Sequence, residues 1–213
     1  MRITILNTSE NHPINTSLKK WIEKNKSKHE IELLRSKKDL SKGDILFLIS
    51  CSEIISKGDR AKFEKTLVIH ASDLPAGRGW SPHIWEIIDG ASQITLSLLE
   101  AEDKVDSGKI WKKVEIKIPK TALYDQINDL IFMAELELMS FAVENFRNVE
   151  PQEQDGKGIS FWPKRTPKDS EINSQQSIEE QFDLIRVCDP DRFPAYFYKG
   201  GKKYTLKVEA VDE

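Results

Sequence analysis

Hydrophobic residues in this chain gather into short β-branched runs separated by stretches with helical spacing. Residues 2–7 (RITILN) read as a buried strand, and 7–15 (NTSENHPIN) collect turn formers and helix caps. From about 16 to 26, Leu18, Trp21 and Ile22 stand at i, i+3 and i+4 on one helical face. Residues 29–34 give a second short strand, and 45–50 (ILFLIS) are almost wholly apolar, as a central parallel strand is. The charged stretch 57–65 makes a turn or short helix with Phe63 inward, and it feeds the strand 66–69 (TLVI). A helix over 83–88, a strand over 94–99 and an alternating, half-exposed strand over 110–118 follow. A long helix over about 122–145 carries a core stripe of Leu123, Ile127, Leu130, Ile131, Ala134, Leu138, Phe141 and Ala142. Strands alternating with helices predict an α/β fold with a doubly wound, mostly parallel sheet.

The pattern changes after the long helix. Residues 149–158 (VEPQEQDGKG) are polar and hold Pro and Gly, which marks a boundary between a main domain, 1–148, and a small α+β annex, 149–213. In the annex Pro163 and Pro167 forbid helix, and Ser177 with Glu180 forms a capping box for a helix over 178–187 that packs Ile178, Phe182 and Ile185 on one face. Residues 195–198 and 204–208, with Gly200-Gly201 between them, read as a β-hairpin.

Composition narrows the classes. With 31% charged and 38% hydrophobic residues and a net charge of −3, the chain reads as globular and makes no electrostatic case for nucleic acid or an anionic membrane. No run approaches the ~18 apolar residues of a membrane span, and the first residues lead straight into a strand, so the expected location is cytoplasmic. Cys51 and Cys188 are too few and too far apart for a disulfide scaffold or a zinc site, and no metal site is read. No G-x-G-x-x-G follows any strand, which disfavours a dinucleotide-dependent dehydrogenase. An exposed apolar face on the long helix leaves a homodimer open.

Candidate chemistry concentrates in residues 70–82 (HASDLPAGRGWSP), where His70 ends a strand and loop formers follow. Ligands of open α/β sheets bind outside the carboxyl ends of the strands. The segment resembles the active-site motif N-x-H-x-S-x-L-P-x-x-R-G of the formyltetrahydrofolate-dependent formyltransferases. His70, Ser72, Leu74, Pro75, Arg78 and Gly79 stand at six of its seven places, and Asp106-Ser107-Gly108 supply the family's later D-[TS]-G turn. Residues 161–172 (FWPKRTPKDSEI) resemble a segment that follows the catalytic domain in several members.

The resemblance implies a Rossmann-like formyltransferase fold and transfer of a formyl group from N10-formyltetrahydrofolate to an amine. It implies His70 and Asp106 as catalytic residues, Ser50, Cys51, Ser52, Ile54 and Leu74 around the folate, and Ser72, Arg78 and Gly79 toward the acceptor. Formyl transfer needs a neutral amine, donors for the oxyanion of the tetrahedral intermediate and a proton route to the leaving nitrogen. His70 can accept the amine's proton or donate to the oxyanion, and Asp106 orients it or relays protons. The first motif position departs: Val68 stands where the family has an Asn that donates to the oxyanion. Losing such a donor costs on the order of 10²- to 10³-fold in rate. Either a loop N–H, Ser50, Ser52 or Ser72 takes over, or the enzyme is slow, or the domain is a catalytically silent binding protein. Within the family the sugar N-formyltransferases look nearest, with a nucleotide-linked amino sugar as acceptor; a small non-sugar amine is the alternative. Cys51 as a nucleophile finds no partner histidine at a known spacing. Lys164, Arg165 and Arg192 stand either toward substrate phosphates or on the surface.

Overall fold

The computed structural model describes residues 1–211; the last two residues of the predicted annex, 212–213, lie outside the described residues. In chain order the elements are β1 (Arg2–Leu6), α1 (Asn15–Asn25), β2 (Glu30–Leu34), β3 (Gly43–Leu48), α2 (Lys57–Arg60), β4 (Phe63–His70), β5 (Arg78–Gly79), α3 (Pro82–Ile88), β6 (Gln93–Glu100), β7 (Ile110–Lys117), α4 (Tyr124–Glu144), β8 (Phe161–Trp162), α5 (Ile178–Arg186), β9 (Ala195–Lys199) and β10 (Lys202–Leu206).

Six strands form the main sheet in the order β2-β1-β3-β4-β6-β7. The first four pair in parallel, whereas β6 runs antiparallel to both β4 and β7. The sheet is therefore mostly parallel, and β4 is the seam between its two halves. Chain order reverses between β1 and β3, because α1 leads from β1 outward to β2 and the next connection hops back over β1. Such a reversal opens a crevice at the carboxyl ends of the strands.

The two faces of the sheet are covered unequally. Ile3, Ile5, Ile45, Phe47 and Leu67 pack with α1 and α4 residues, Leu18, Trp21, Ile131 and Leu138 among them, in one large core. The alternate positions Leu6 and Leu46 join Leu40, Ile55 and Phe63, the residue that opens β4, in a small cluster on the other face. The second layer is thin because 35–42 and 49–62 carry only a 3-10 turn (Lys37–Asp39) and the four-residue α2. Leu67 and Ile69 point to the thick side, so strand alternation turns Val68 and His70 to the thin one.

In the annex, Ile172, Ile185, Cys188 and Ala195 form a separate small core. The predicted packing face of α5 needs correction: Ile178 is 55% exposed, and buried Gln181 takes an inward place beside Ile185. Gln181 does so because its amide satisfies the backbone of Asn173, accepting from its N–H at 2.6 Å and donating to its carbonyl at 3.0 Å. The fully buried Arg186 donates to the Pro119 and Ala122 carbonyls, tying α5 to the turn before α4. Residues after α4 run back along the main sheet, where Gln152 bridges Ile110 and β8 pairs in parallel with β5. Among the described residues no helix is long and apolar enough to cross a membrane.

Candidate active site

His70 is the last residue of β4, paired across the seam with Ser97 of β6. Its Nε2 lies 2.8 Å from the Gly77 carbonyl, which only accepts, so Nε2 carries a proton. Its Nδ1 faces Asp106 Oδ1 across 3.5 Å, and both side chains are more than nine-tenths buried. Asp106 Oδ2 accepts the Gly79 N–H at 3.0 Å, so one carboxylate faces the imidazole and holds the loop. Asp106 does this from the left-handed region, at φ 56°, which an aspartate tolerates at some cost.

The loop that carries Gly77 and Gly79 is braced from the far side of the sequence. Ser160 accepts the Gly77 N–H on Oγ at 2.9 Å and the Arg78 N–H on its carbonyl at 3.0 Å. A β-carbon on Gly79 would sit 2.4 Å from the Trp162 carbonyl, which is why the β5–β8 pairing needs glycine there. Buried Arg78 donates to Gln154 Oε1 at 2.6 Å, and the Gln154 amide donates to the carbonyls of Asp106 and Gly108. Gly108 itself admits no side chain, since its β-carbon would fall 1.9 Å from the Glu100 carbonyl.

Two further motif residues fold inward instead of lining the cleft. Ser72, fully buried, donates to the Ala76 carbonyl at 2.8 Å and receives the Ser97 hydroxyl on its own carbonyl. Leu74 is fully buried as well. The residues expected around the folate form an open rim beyond β3: Ser50 and Ser52 are exposed, Cys51 is half-buried and Ile54 is 72% exposed. Ser52 pairs with the Thr8 hydroxyl at 3.0 Å. Burial pushes the Cys51 thiol up, which makes it a poorer nucleophile.

Three groups near this site were not singled out by the sequence reading. His12, in the turn after β1, accepts the Ile14 N–H on Nδ1 and sets Nε2 3.3 Å from Ser50 Oγ. His83, in the first turn of α3, has a buried Nδ1 with no partner; burial, with the charges of His70, His12 and Arg165, holds its pKa near about 4. Two of the chain's other three histidines thus bear on its charge, a signal that the scarcity of His could have raised. Gln154 is the third, hidden in a stretch that reads as linker. Among the described residues the non-glycine positions with left-handed backbone are Ser50, Ser81 and Asp106, all on the loops that border the cleft.

The annex supplies cations and aromatic rings to the same edge. Arg165 lies 5.8 Å from the Trp85 ring and Lys164 4.7 Å from that of Trp80, while Trp85 and Trp162 stack at 5.9 Å. Arg192 is tied to Asp189 and the Tyr124 hydroxyl, and its charge reaches His12. Among the described residues no three metal-ligating side chains converge.

Comparison with known proteins agrees with this geometry. Residues 5–143 match the model of a family described as formyl transferase. The methionyl-tRNA formyltransferase of Rickettsia bellii is 27% identical over 167 residues, covering 78% of this chain and 54% of that protein. The chain thus spans about half the length of the curated relatives it matches. Among solved structures, methionyl-tRNA formyltransferase from Clostridium thermocellum superposes with a TM-score of 0.84 at 23% identity, over 100% of this chain and 94% of that one. HypX from Aquifex aeolicus in complex with tetrahydrofolic acid gives 0.78 at 22%, over 97% and 37%. A sugar N-formyltransferase from Shewanella gives 0.73 at 17%, over 100% and 99%. At these identities the structures speak for the fold alone, but the match over 5–143, well over half of the sequence, is decisive: the chain belongs to the formyl transferase family.

Proposed function

We propose that this protein transfers a formyl group from N10-formyltetrahydrofolate to a primary amine. The observation that carries the reading is the buried His70–Asp106 pair at 3.5 Å, set at the carboxyl end of β4 beside the chain reversal. A fold neighbour that holds tetrahydrofolic acid supports folate as the carrier. In the reaction the amine lone pair forms a bond to the formyl carbon and the carbonyl π pair moves to oxygen. When that pair returns, the bond from carbon to N10 breaks, and N10 takes up the proton that the amine loses.

The protonated Nε2 of His70 favours the donor role over the base role. Turned from the Gly77 carbonyl, that N–H meets the oxyanion, while the Asp106 carboxylate lies beside Nδ1 and is the group on hand to relay the proton from the amine to N10. Ser50, Cys51, Ser52 and Ile54 form the folate side of the cleft, with Leu74 supporting the loop from beneath. Arg78 and Gly79 shape the acceptor side, and Ser72 acts on it only by fixing the loop.

For the acceptor we favour an amino sugar linked to a nucleoside diphosphate. Rings with cations beside them, Trp80 with Lys164 and Trp85 with Arg165, suit a base and its phosphates, and a sugar N-formyltransferase is among the fold neighbours. The net charge of −3 gives no field for tRNA. Two free cysteines accord with the reducing cytoplasm expected for such an enzyme.

Calorimetric titration with a folate that cannot donate its formyl group is the first test, and dissociation on the order of micromolar is expected. Turnover is then compared with a dTDP-linked 4-amino sugar and with methionyl-tRNA. Formylation of the sugar supports the reading, formylation of the tRNA replaces the acceptor, and a folded protein that binds no folate at millimolar ligand sinks the enzyme in favour of a silent binding domain.

A further inference from the structure

We propose that Ser50 is a further catalytic residue of this site, whose hydroxyl, held in place by His12, donates a hydrogen bond to the oxyanion of the tetrahedral adduct. The proposal rests on the formyl-transfer reading above.

The direction of the Ser50 hydroxyl follows from hydrogen-bond logic. The Ile14 N–H lies 3.3 Å from His12 Nδ1, and a backbone N–H only donates, so Nδ1 is bare and the ring proton sits on Nε2. Nε2 is 3.3 Å from Ser50 Oγ, so the imidazole donates to the hydroxyl and leaves the hydroxyl's own proton for a third group. Burial, with the charge of Arg192 adding to it, lowers the pKa of His12 to about 4, so the ring stays neutral near pH 7 and keeps this tautomer.

Position follows from strand register. Leu48, the last residue of β3, pairs with Val68 of β4, so Ser50 follows β3 by two residues as His70 follows Val68 on the neighbouring strand. There the left-handed backbone of Ser50, φ 47°, turns the chain out of the ladder and leaves its side chain exposed to the cleft.

Of the other hydroxyls nearby, the two buried ones donate within the fold. Ser72 donates to the Ala76 carbonyl, Ser97 to the Ser72 carbonyl, and Ser52 pairs with Thr8. Val68, on the face of β4 that carries His70, has no donor at all. When the amine adds to the formyl carbon and the π pair settles on oxygen, the Ser50 Oγ–H meets it directly, and the His70 Nε2–H joins only by turning from the Gly77 carbonyl that it holds here at 2.8 Å. Neither proton is transferred, and both bonds weaken again as the carbonyl re-forms and the bond to N10 breaks.

A folate analogue with carbon in place of N10 and an aldehyde attached to it tests this by binding alone, because the aldehyde hydrate reproduces the tetrahedral adduct. Ser50→Ala is expected to weaken the aldehyde analogue about 10- to 100-fold more than it weakens the analogue without the aldehyde. Val68→Asn in the Ser50→Ala background, placing an amide on His70's own strand face, should recover most of that loss. His12 is a positioning residue: His12→Gln keeps a donor at the reach of Nε2 and retains affinity, whereas His12→Asn falls short and behaves as Ser50→Ala does. Nitrogen NMR at pH 7 should find the His12 proton on Nε2, and a proton on Nδ1 would overturn the proposal. Equal loss for both analogues, or no loss, overturns it while leaving formyl transfer intact. If the wild-type protein binds neither analogue, the formyl-transfer reading fails and takes this inference with it.

Discussion

The two corners of the cleft are built in opposite ways. At the His70 corner the polar groups brace one another: Asp106 spans His70 and Gly79, Gln154 spans Arg78 and two carbonyls, and Ser160 holds the loop backbone. At the Ser50 corner the side chains are exposed, one hydroxyl proton is unclaimed, and Ile54 stands 72% in solvent. Both corners lie at the carboxyl ends of neighbouring parallel strands, so strand geometry alone does not separate them. The difference lies in what completes each one. The His70 corner is completed by Gln154 and Ser160, far along the chain, whereas the Ser50 corner stays open to solvent; that is the division expected if the proposed chemistry sits at the first and a ligand covers the second.

The strongest way to break the contrast is to change charge at the braced corner without changing shape. Asp106→Asn keeps an oxygen for the Gly79 N–H but removes the charge facing His70, so kcat should fall about 10²- to 10⁴-fold with the melting temperature nearly unchanged. A fall in stability as large as the fall in rate would mean that Asp106 is a structural brace only. Gly108→Ala attacks the same corner through packing. With a β-carbon 1.9 Å from the Glu100 carbonyl, the turn carrying Asp106 must shift, and chemical denaturation should register a loss of about 3 kcal/mol or more.

The open corner should behave the other way. Ile54→Ser removes an exposed apolar side chain and should leave stability within about 0.5 kcal/mol. If the folate covers that side chain, the same change weakens folate binding by about tenfold, the worth of roughly 1.4 kcal/mol of apolar contact. Unchanged folate affinity would move the slot away from this rim.

How far sequence alone reached follows the same division. The strands and the long helix were legible because β-branched runs and helical spacing are local signals, whereas the meeting of His70 with Asp106 was legible only through the resemblance of their motifs to those of a known family. Ile178 was misplaced because amphipathic spacing ignores what a glutamine can do when the chain folds back to give it backbone partners. His12, His83 and Gln154 were unreadable for a related reason: each acquires its role from a group distant in sequence, Ser50 for His12, His70 for His83, and Arg78 for Gln154. Val68 was legible as an absence, but which group faces the gap became a question of register between β3 and β4, which no single strand carries.

One more prediction separates stability from chemistry at the braced corner. Glu86 of α3 sets Oε1 3.2 Å from where a β-carbon on Gly77 would sit, beneath the loop that takes the His70 proton. Burial, with Asp73 adding repulsion, raises its pKa to about 7, although Asp73 itself is held by Lys113. In the unfolded chain a glutamate ionises near its ordinary value, so this group favours the folded state fully at low pH. That contribution is lost as pH rises from about 4.5 through 7, because the unfolded chain gives up its proton first. Glu86→Gln, which cannot ionise, should therefore leave stability at pH 4 unchanged and raise it at pH 8 by about 1 kcal/mol, after discounting for the partial contact of the side chain with water. Denaturation curves at the two pH values would show it, and an equal gain at both would mean that the carboxyl never titrates against the loop. Because the Asp106–His70 pair is untouched, the pH dependence of kcat should stay that of the wild type, so the brace can be made less sensitive to pH while the chemistry it supports is not altered.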